Sequence, residues 1–317
     1  YTCVALFLLR GVMHKHIERA VAEIGTVLLG KEVQVRLALC CLFARGHLLI
    51  EDLPGMGKTT LSNALAKVLG LDYKRVQFTS DLLPADILGV SVFNRDTTQF
   101  EFIPGPIFTQ VLLADEINRT TPKSQSALLE AMEEGQVTIE GKTRELPAPF
   151  FVIATQNPST QSGTYPLPES QLDRFLMRLS LGYPDREAER KLLMGEDSRK
   201  KLSRLQAVMS IQDLIAIQTA VDDVHCSDNL LDYVQRLVEH SRNHTDFVDG
   251  LSPRGALAIM RCAKTWAFMS GRGHVVPEDV QMILPSVVEH RLSTSANALV
   301  GSHGMSHKLM EEIAVIG

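Results

Sequence analysis

Short apolar runs punctuate the first half of the chain: HLLI at 47–50, RVQF at 75–78, VLLAD at 111–115 and FFVIAT at 150–155. Each is bounded by turn residues and lacks the strict alternation of a half-solvated strand, which predicts strands buried on both faces of a parallel sheet. Between them, residues 59–69 and 122–134 carry helical spacing. The second stretch has Thr121 as N-cap, Pro122 at the first helical position and Gly135 as its stop. Upstream, Val21, Ile24, Val27 and Leu28, then Val35, Leu37, Leu39 and Leu42, suit two helices broken near Gly30. Strands alternating with helices in this way build a doubly wound sheet, in which ligands bind beyond the carboxyl ends of the strands.

Past Gly182-Tyr183-Pro184, which reads as a linker, the strand-like runs stop. Apolar residues then recur at three-and-four spacing over 186–199, 211–224, 228–243, 253–270 and 277–292, predicting helices. The expected division is an arm at 1–16, an α/β domain at 17–183, an all-α domain at 184–292 and a tail at 293–317. The opening YTCVALFLLRGVMHKH is apolar only as far as Arg10, short of the roughly 20 residues that span a bilayer. It lacks an Ala-x-Ala cleavage site, so neither a transmembrane segment nor a signal peptide is expected. It reads equally as a native arm or as vector-derived sequence.

Composition narrows the functional classes. With 317 residues, 45% of them hydrophobic, the chain can bury a substantial core in two domains. A net charge of −5 argues against a surface given over to nucleic acid, which is disfavoured as a partner. The five cysteines, Cys3, Cys40, Cys41, Cys226 and Cys262, include no C-x-x-C, and no Cys and His residues fall at zinc-finger spacing. They read as thiols of a reducing, cytoplasmic compartment.

The chemistry is concentrated at the predicted strand ends. HLLIEDLPGMGKTTL, 47–61, is nearly the phosphate-binding pattern G-x-x-x-x-G-K-[ST], with Asp52 where the first glycine belongs. Gly55 and Gly57 can turn successive N–H groups toward an anion, and Lys58 opens a helix whose N-terminus favours negative charge. Lys58 is then the β/γ-phosphate contact and Thr59 a magnesium ligand, with Pro54, Met56 and Thr60 completing the loop. Asp52 sits ahead of the cradle, where a short polar side chain can cap a tight turn.

VLLADEINR puts Asp115 and Glu116 directly after an apolar strand. Neighbouring side chains on an extended strand point opposite ways, so the two acids take different tasks. Asp115 fits the magnesium role and Glu116 the base that orients the attacking water. Asn157, at the tip of FFVIATQNP, can hold that water or the γ-phosphate without titrating. In LDRFLMRLS, Arg174 could reach a neighbouring subunit's γ-phosphate or could form an internal salt bridge, with Arg178 as its rival. In LSPRGALAIM, Ser252 reads as N-cap and Pro253 as N1, placing Arg254 in the first helical turn, where a nearby phosphate would offset the unfavourable dipole.

These segments, with SDLLPADILG, FIPGPIF, LLADEINRTTPKSQSALLEAMEEGQVTIEG, IATQNP and YPLPESQLDRFLMR, resemble the MoxR family of AAA+ ATPases from about residue 17 to about 292. The resemblance implies a P-loop NTPase core with an all-α lid. It implies Walker A at Lys58 and Thr59, Walker B at Asp115 and Glu116, sensor 1 at Asn157, an arginine finger at Arg174 and sensor 2 at Arg254. ATP and Mg2+ are the implied cofactors, held between subunits of a homo-oligomeric ring, usually a hexamer. The family often carries an acidic residue at the position of Asp52, and Arg119 matches a further family position. ADILGVSVFNRDTTQFEF corresponds to a helix-2 insertion and QVTIEGKTREL to a hairpin ahead of sensor 1, both on a partner-engaging face. The implied activity is chaperone-like remodelling that matures protein complexes or inserts metal, with a separate von Willebrand factor A domain protein as partner. A nucleic-acid motor and a nucleotide-controlled scaffold with little turnover are the alternatives.

Overall fold

The computed structural model describes residues 2–157, 163–194, 198–294 and 304–315. Helix α1 (Thr2–Gly25) runs without a break through the boundary expected at residue 16, with Met13 and Ile17 buried. It is separated from α2 (Glu32–Phe43) by a turn in which Gly30 has φ +68°. The α/β layer follows as β1 (Leu48–Glu51), α3 (Lys58–Val68), β2 (Tyr73–Gln77), α4 (Pro84–Leu88), β3 (Gly89–Asn94), β4 (Gln99–Pro104) and β5 (Val111–Asp115). It continues with α5 (Pro122–Glu134), β6 (Gln136–Ile139), β7 (Lys142–Glu145), β8 (Phe151–Gln156), α6 (Glu169–Leu172) and β9 (Met177–Leu179).

Five strands form one parallel sheet in the order β2-β5-β8-β1-β9. The period-two rule sorts its side chains. Leu48 and Ile50 of β1, Val111 and Leu113 of β5, and Phe151 and Ile153 of β8 enter the core shared with α2, α3 and the helical region. Leu49, Leu112, Ala114, Val152 and Ala154 face the opposite core with Leu128, Leu129 and Met132 of α5. Every one of these strand residues is buried, and each Leu or Ile contributes about 1.5–3 kcal/mol relative to exposure. Strand β2 departs from the expectation of burial on both faces: Lys74, Arg75 and Gln77 are exposed. It lies at the sheet's edge, where charged side chains discourage further strand pairing.

Two antiparallel hairpins project from this layer, β3 with β4 and β6 with β7. They occupy the two segments marked out as an insertion and a hairpin in the sequence.

The chain after β9 is helical: α7 (Arg186–Leu193), α8 (Ser198–Arg204), α9 (Ile211–Asp222), α10 (Asp228–Asn243), α11 (Pro253–Met269), α12 (Pro277–Val288) and α13 (Met305–Glu312). One addition was not legible in the pattern, an antiparallel ribbon of β10 (Phe247–Asp249) and β11 (Ser293–Thr294), whose strands are too short to show a period. The segment expected as a tail contributes α13, which packs on α10 and α12 with Leu309 fully buried. Arg291 locks the helical region onto the segment before β9, donating to Asp173 Oδ1 at 2.7 Å and to the Phe175 carbonyl at 2.6 Å.

Candidate active site

Strand β1 ends at Glu51 and α3 begins at Lys58, so residues 52–57 turn the chain by way of Gly55 (φ +86°) and Gly57 (φ +92°). Both are left-handed conformations that glycine adopts without a Cβ penalty. The first-turn N–H groups of α3 have no intrahelical acceptors, and with the helix dipole they form an anion cradle. Pro54, Gly55, Gly57, Lys58, Thr59 and Thr60 line a cavity of about 350 Å³ together with Asp115, Glu116 and Asn157. Nine of the residues singled out in the sequence are thus brought together. Met56 turns away and packs against the apolar core.

Lys58 is the hub of this cavity. Its ammonium donates to the carbonyl of Asp52 and to Asn157 Oδ1 at 2.7 Å. Burial pushes its pKa down, and the Asp52, Asp115 and Glu116 carboxylates pull it partly back. Asn157 is 4% exposed and in turn donates from Nδ2 to Glu116 Oε1 at 3.0 Å.

The two acids are not arranged as an extended strand would leave them. Glu116 has φ +59° and ψ +49° and caps a 3-10 turn at Ile117–Arg119, so it has left the strand. This left-handed backbone swings its carboxylate into the cavity that Asp115 also lines, where strict alternation would have sent it to the other face. For a non-glycine residue such a conformation costs on the order of 1–2 kcal/mol. The Glu116 amide is held by the Thr155 hydroxyl at 2.9 Å, and that hydroxyl donates to Asp115 Oδ1 at 2.6 Å.

Three participants were missed in the sequence. Arg75 on edge strand β2 donates to Asp115 Oδ2 at 2.6 Å, and Gln77 donates to Glu116 Oε2 at 2.9 Å. Thr155 links the two acids from β8. None belongs to a local motif; only the strand order, with β5 between β2 and β8, brings them together. Arg119 reaches Glu116 Oε2 at 3.2 Å.

Asp52 explains its own departure from the loop pattern. Its Oδ2 accepts from the amides of Leu181 and Gly182, each at 2.7 Å, and from the Ser180 hydroxyl at 3.2 Å. The side chain faces away from the cradle and ties the loop to the exit of β9.

Arg174 and Arg254 lie elsewhere. Both pair with Glu133 at the end of α5, Arg174 at 3.0 Å. They line a second cavity, of about 440 Å³, that shares no lining residue with the first. It opens where β1 and β9 begin, beside His47 and Leu176, whereas the phosphate loop follows the end of β1. Arg254 stands in the first turn of α11 with Ser252 capping, the Ser252 hydroxyl accepting from the Gly255 amide at 3.0 Å. The helical region therefore does not bring Arg254 over the cradle of its own chain. Arg45, Arg261 and Arg291 join these two around the acids Glu133 and Asp173, leaving the second cavity electropositive. Arg178, the rival of Arg174, sits within β9 and donates to Glu51 at 2.9 Å.

This fold and loop geometry define a class of nucleotide-binding protein. A profile of the ATPase family associated with various cellular activities (AAA) matches residues 47–177, and an AAA lid domain profile matches residues 239–309. The chain is 47% identical to YeaC of Bacillus subtilis over 280 residues, 88% of each protein. It is 39% identical over 294 residues to the chaperone MoxR1 of Mycobacterium tuberculosis, covering 89% of this chain and 77% of that one. A crystal structure of a protein from Cytophaga hutchinsonii superposes with a TM-score of 0.87 at 34% identity, covering 96% of both chains. The chain belongs to the MoxR family of AAA+ ATPases.

Proposed function

We propose that this chain hydrolyses ATP to ADP and phosphate with Mg2+, as the motor of a head-to-tail ring in which two subunits complete each site and which by family resemblance is a hexamer. The observation carrying this reading is the separation of the two cavities. The cradle holds Lys58, Thr59, Asp115, Glu116 and Asn157, while Arg174 and Arg254 stand at the other end of the same sheet. A neighbouring subunit is the natural source of the missing cations.

In this reading the amides of residues 55–60 and the Lys58 ammonium hold the β- and γ-phosphates. Thr59 and Asp115 would hold the metal, which would supply charge neutralisation. Glu116 orients and polarises the attacking water, and Asn157 holds the Glu116 carboxylate in place. Arg174 and Arg254 of the adjacent subunit stabilise the charge that develops on the transferred group.

The work done with this energy is chaperone-like remodelling of a protein client, in maturation of a protein complex or insertion of a metal or cofactor. MoxR1, a relative that carries the name chaperone, supports that direction. So does the β3–β4 hairpin, which exposes Val90, Val92, Phe93, Phe100 and Ile103 and carries Arg95 as its one basic residue, with Asp96 and Glu101 opposing it, where a groove that tracks a nucleic-acid backbone would be positively charged. Arg144 of the neighbouring hairpin is engaged over the Phe102 ring at 3.9 Å. The partner that delivers the client is, in this reading, a von Willebrand factor A domain protein, and the setting is the cytoplasm.

The test is steady-state phosphate release with Mg2+ alongside mass measurement in solution. Turnover by the wild type, its loss in Glu116→Gln with ATP still bound, and assembly beyond the monomer are the expected results. A monomer that turns over ATP at full rate, or a ring in which neither form hydrolyses it, would remove the motor reading, the second outcome leaving a scaffold.

A further inference from the structure

Helix α10 finishes with two histidines one turn apart. His240 and His244 are at i and i+4, on one face of the helix, with ring centroids 4.8 Å apart and planes inclined by 30°. From α13, far along the chain, Glu312 brings Oε2 to 2.7 Å from His240 Nε2. A ring nitrogen of each histidine and a Glu312 oxygen all lie within 4.8 Å of one another. The meeting is enforced by packing: Leu309 is buried beneath α13, and Arg236 of α10 donates to the carbonyls of Ala314 and Val315 at 2.8 and 3.0 Å.

We infer that His240, His244 and Glu312 form a binding site for a divalent transition metal of the zinc class, which clips α13 to α10. Two neutral imidazoles and one carboxylate are a donor set that Zn2+ accepts and that Mg2+, which prefers oxygen, does not. Zinc bonds of about 2.0–2.2 Å place tetrahedral donors about 3.4 Å apart, so the His240–Glu312 pair is already close enough and the His244 ring must swing inward by roughly 1–2 Å. That ring can move. His244 is the C-cap residue of α10, half-buried, and is held by a long 3.3 Å bond from the Asp246 amide to Nδ1.

His240 is hydrogen-bonded to Glu312, while the His244 ring lies beside it and rests edge-on against Phe247. The Lys308 ammonium pairs with Asp246 and stands 3.7 Å from Glu312 Oε1, leaving Oε2 directed at His240. Asp246 is thus neutralised, and the fourth coordination position falls to water.

The experiment uses the full, untagged chain, stripped of metal with a chelator and held in excess Mg2+ so that Zn2+ does not take the nucleotide site. Zinc chloride is titrated calorimetrically into the wild type, Glu312→Gln and His240→Gln/His244→Gln. We expect one Zn2+ per chain, at least about tenfold weaker binding in Glu312→Gln and none at this stoichiometry in the double variant. Hydrogen exchange on the wild type provides a readout independent of any variant's folding: Zn2+ should slow exchange over residues 305–312. The inference is overturned by a folded double variant that binds Zn2+ like the wild type, or by wild-type exchange over 305–312 that Zn2+ leaves unchanged.

Discussion

The Asn157 amide donates to the Glu116 carboxylate at 3.0 Å while its oxygen accepts from Lys58, so one neutral side chain spaces the phosphate cation from the proposed base. Replacing Asn157 by Ala removes the spacer and leaves the cradle. We expect turnover to fall by about 10²-fold, with nucleotide affinity changed far less, because a positioned donor acts mainly on the transition state. Separate measurement of kcat and of ATP binding checks this; equal losses in both would assign Asn157 to binding alone.

Arg174 and Arg254 share the Glu133 carboxylate, away from their own phosphate loop. Arg174→Ala should bind ATP normally and lose about 10³-fold or more in turnover. Mixing Arg174→Ala subunits with Glu116→Gln subunits should restore part of the activity, because some interfaces then combine an intact Glu116 with an intact Arg174. Verified mixed rings that stay inactive would mean that the arginine does not act across the interface.

Asp52 is expected to matter for stability more than for phosphate contact. Asp52→Gly installs the residue of the usual loop pattern, yet leaves the Leu181 and Gly182 amides without their acceptor. The cost is about 3 kcal/mol, from lost charge-assisted bonds and unsatisfied buried donors. Urea denaturation should show the midpoint fall; an unchanged midpoint would mean that solvent or the loop replaces those bonds.

His47 gives the fold a pH dependence. Its Nδ1 accepts from the Val152 amide at 2.9 Å and its Nε2 lies 3.1 Å from the Met132 carbonyl, an arrangement for the neutral ring. Burial pushes its pKa down to about 4, only partly opposed by the Met132 carbonyl. The unfolded chain therefore binds a proton here at a higher pH than the folded chain does. Stability from this residue is full above about pH 6.5 and is lost as pH falls toward 4, on the order of 2–3 kcal/mol in all. Burial lowers the pKa of His290 in the same direction. Melting temperatures across this window should decline on acidification, and His47→Gln should flatten the decline. A parallel decline in the variant would locate the dependence elsewhere.

The sequence disclosed the parts whose signal is local. HLLI, VLLAD and FFVIAT were readable as strands because each is buried on both faces, and the glycine-rich turn before Lys58 because the anion cradle is a contiguous stretch of backbone. What depends on strand order stayed hidden. Arg75 reaches Asp115 across a β2–β5 pairing that no window of sequence contains. The left-handed Glu116 reverses the alternation rule at the one residue where the rule was applied to chemistry. Arg254 could be placed at a helix start from Ser252 and Pro253, but the end of the sheet it faces is decided by how Arg291 docks the helical region against Asp173. The meeting of His240 and His244 with Glu312 was not legible either, because Glu312 is supplied by a helix in the segment expected as a tail.

The opposition of the two cavities gives the molecule a front and a back. A twofold pair brings identical surfaces together, so it cannot seat the back of each subunit against the front of the other through a single contact. In the proposed assembly, where the back of one subunit completes the front of the next, successive copies would face the same way round, and such a row either closes on itself or continues as a spiral. Direction around the proposed ring would thus be written into each single subunit.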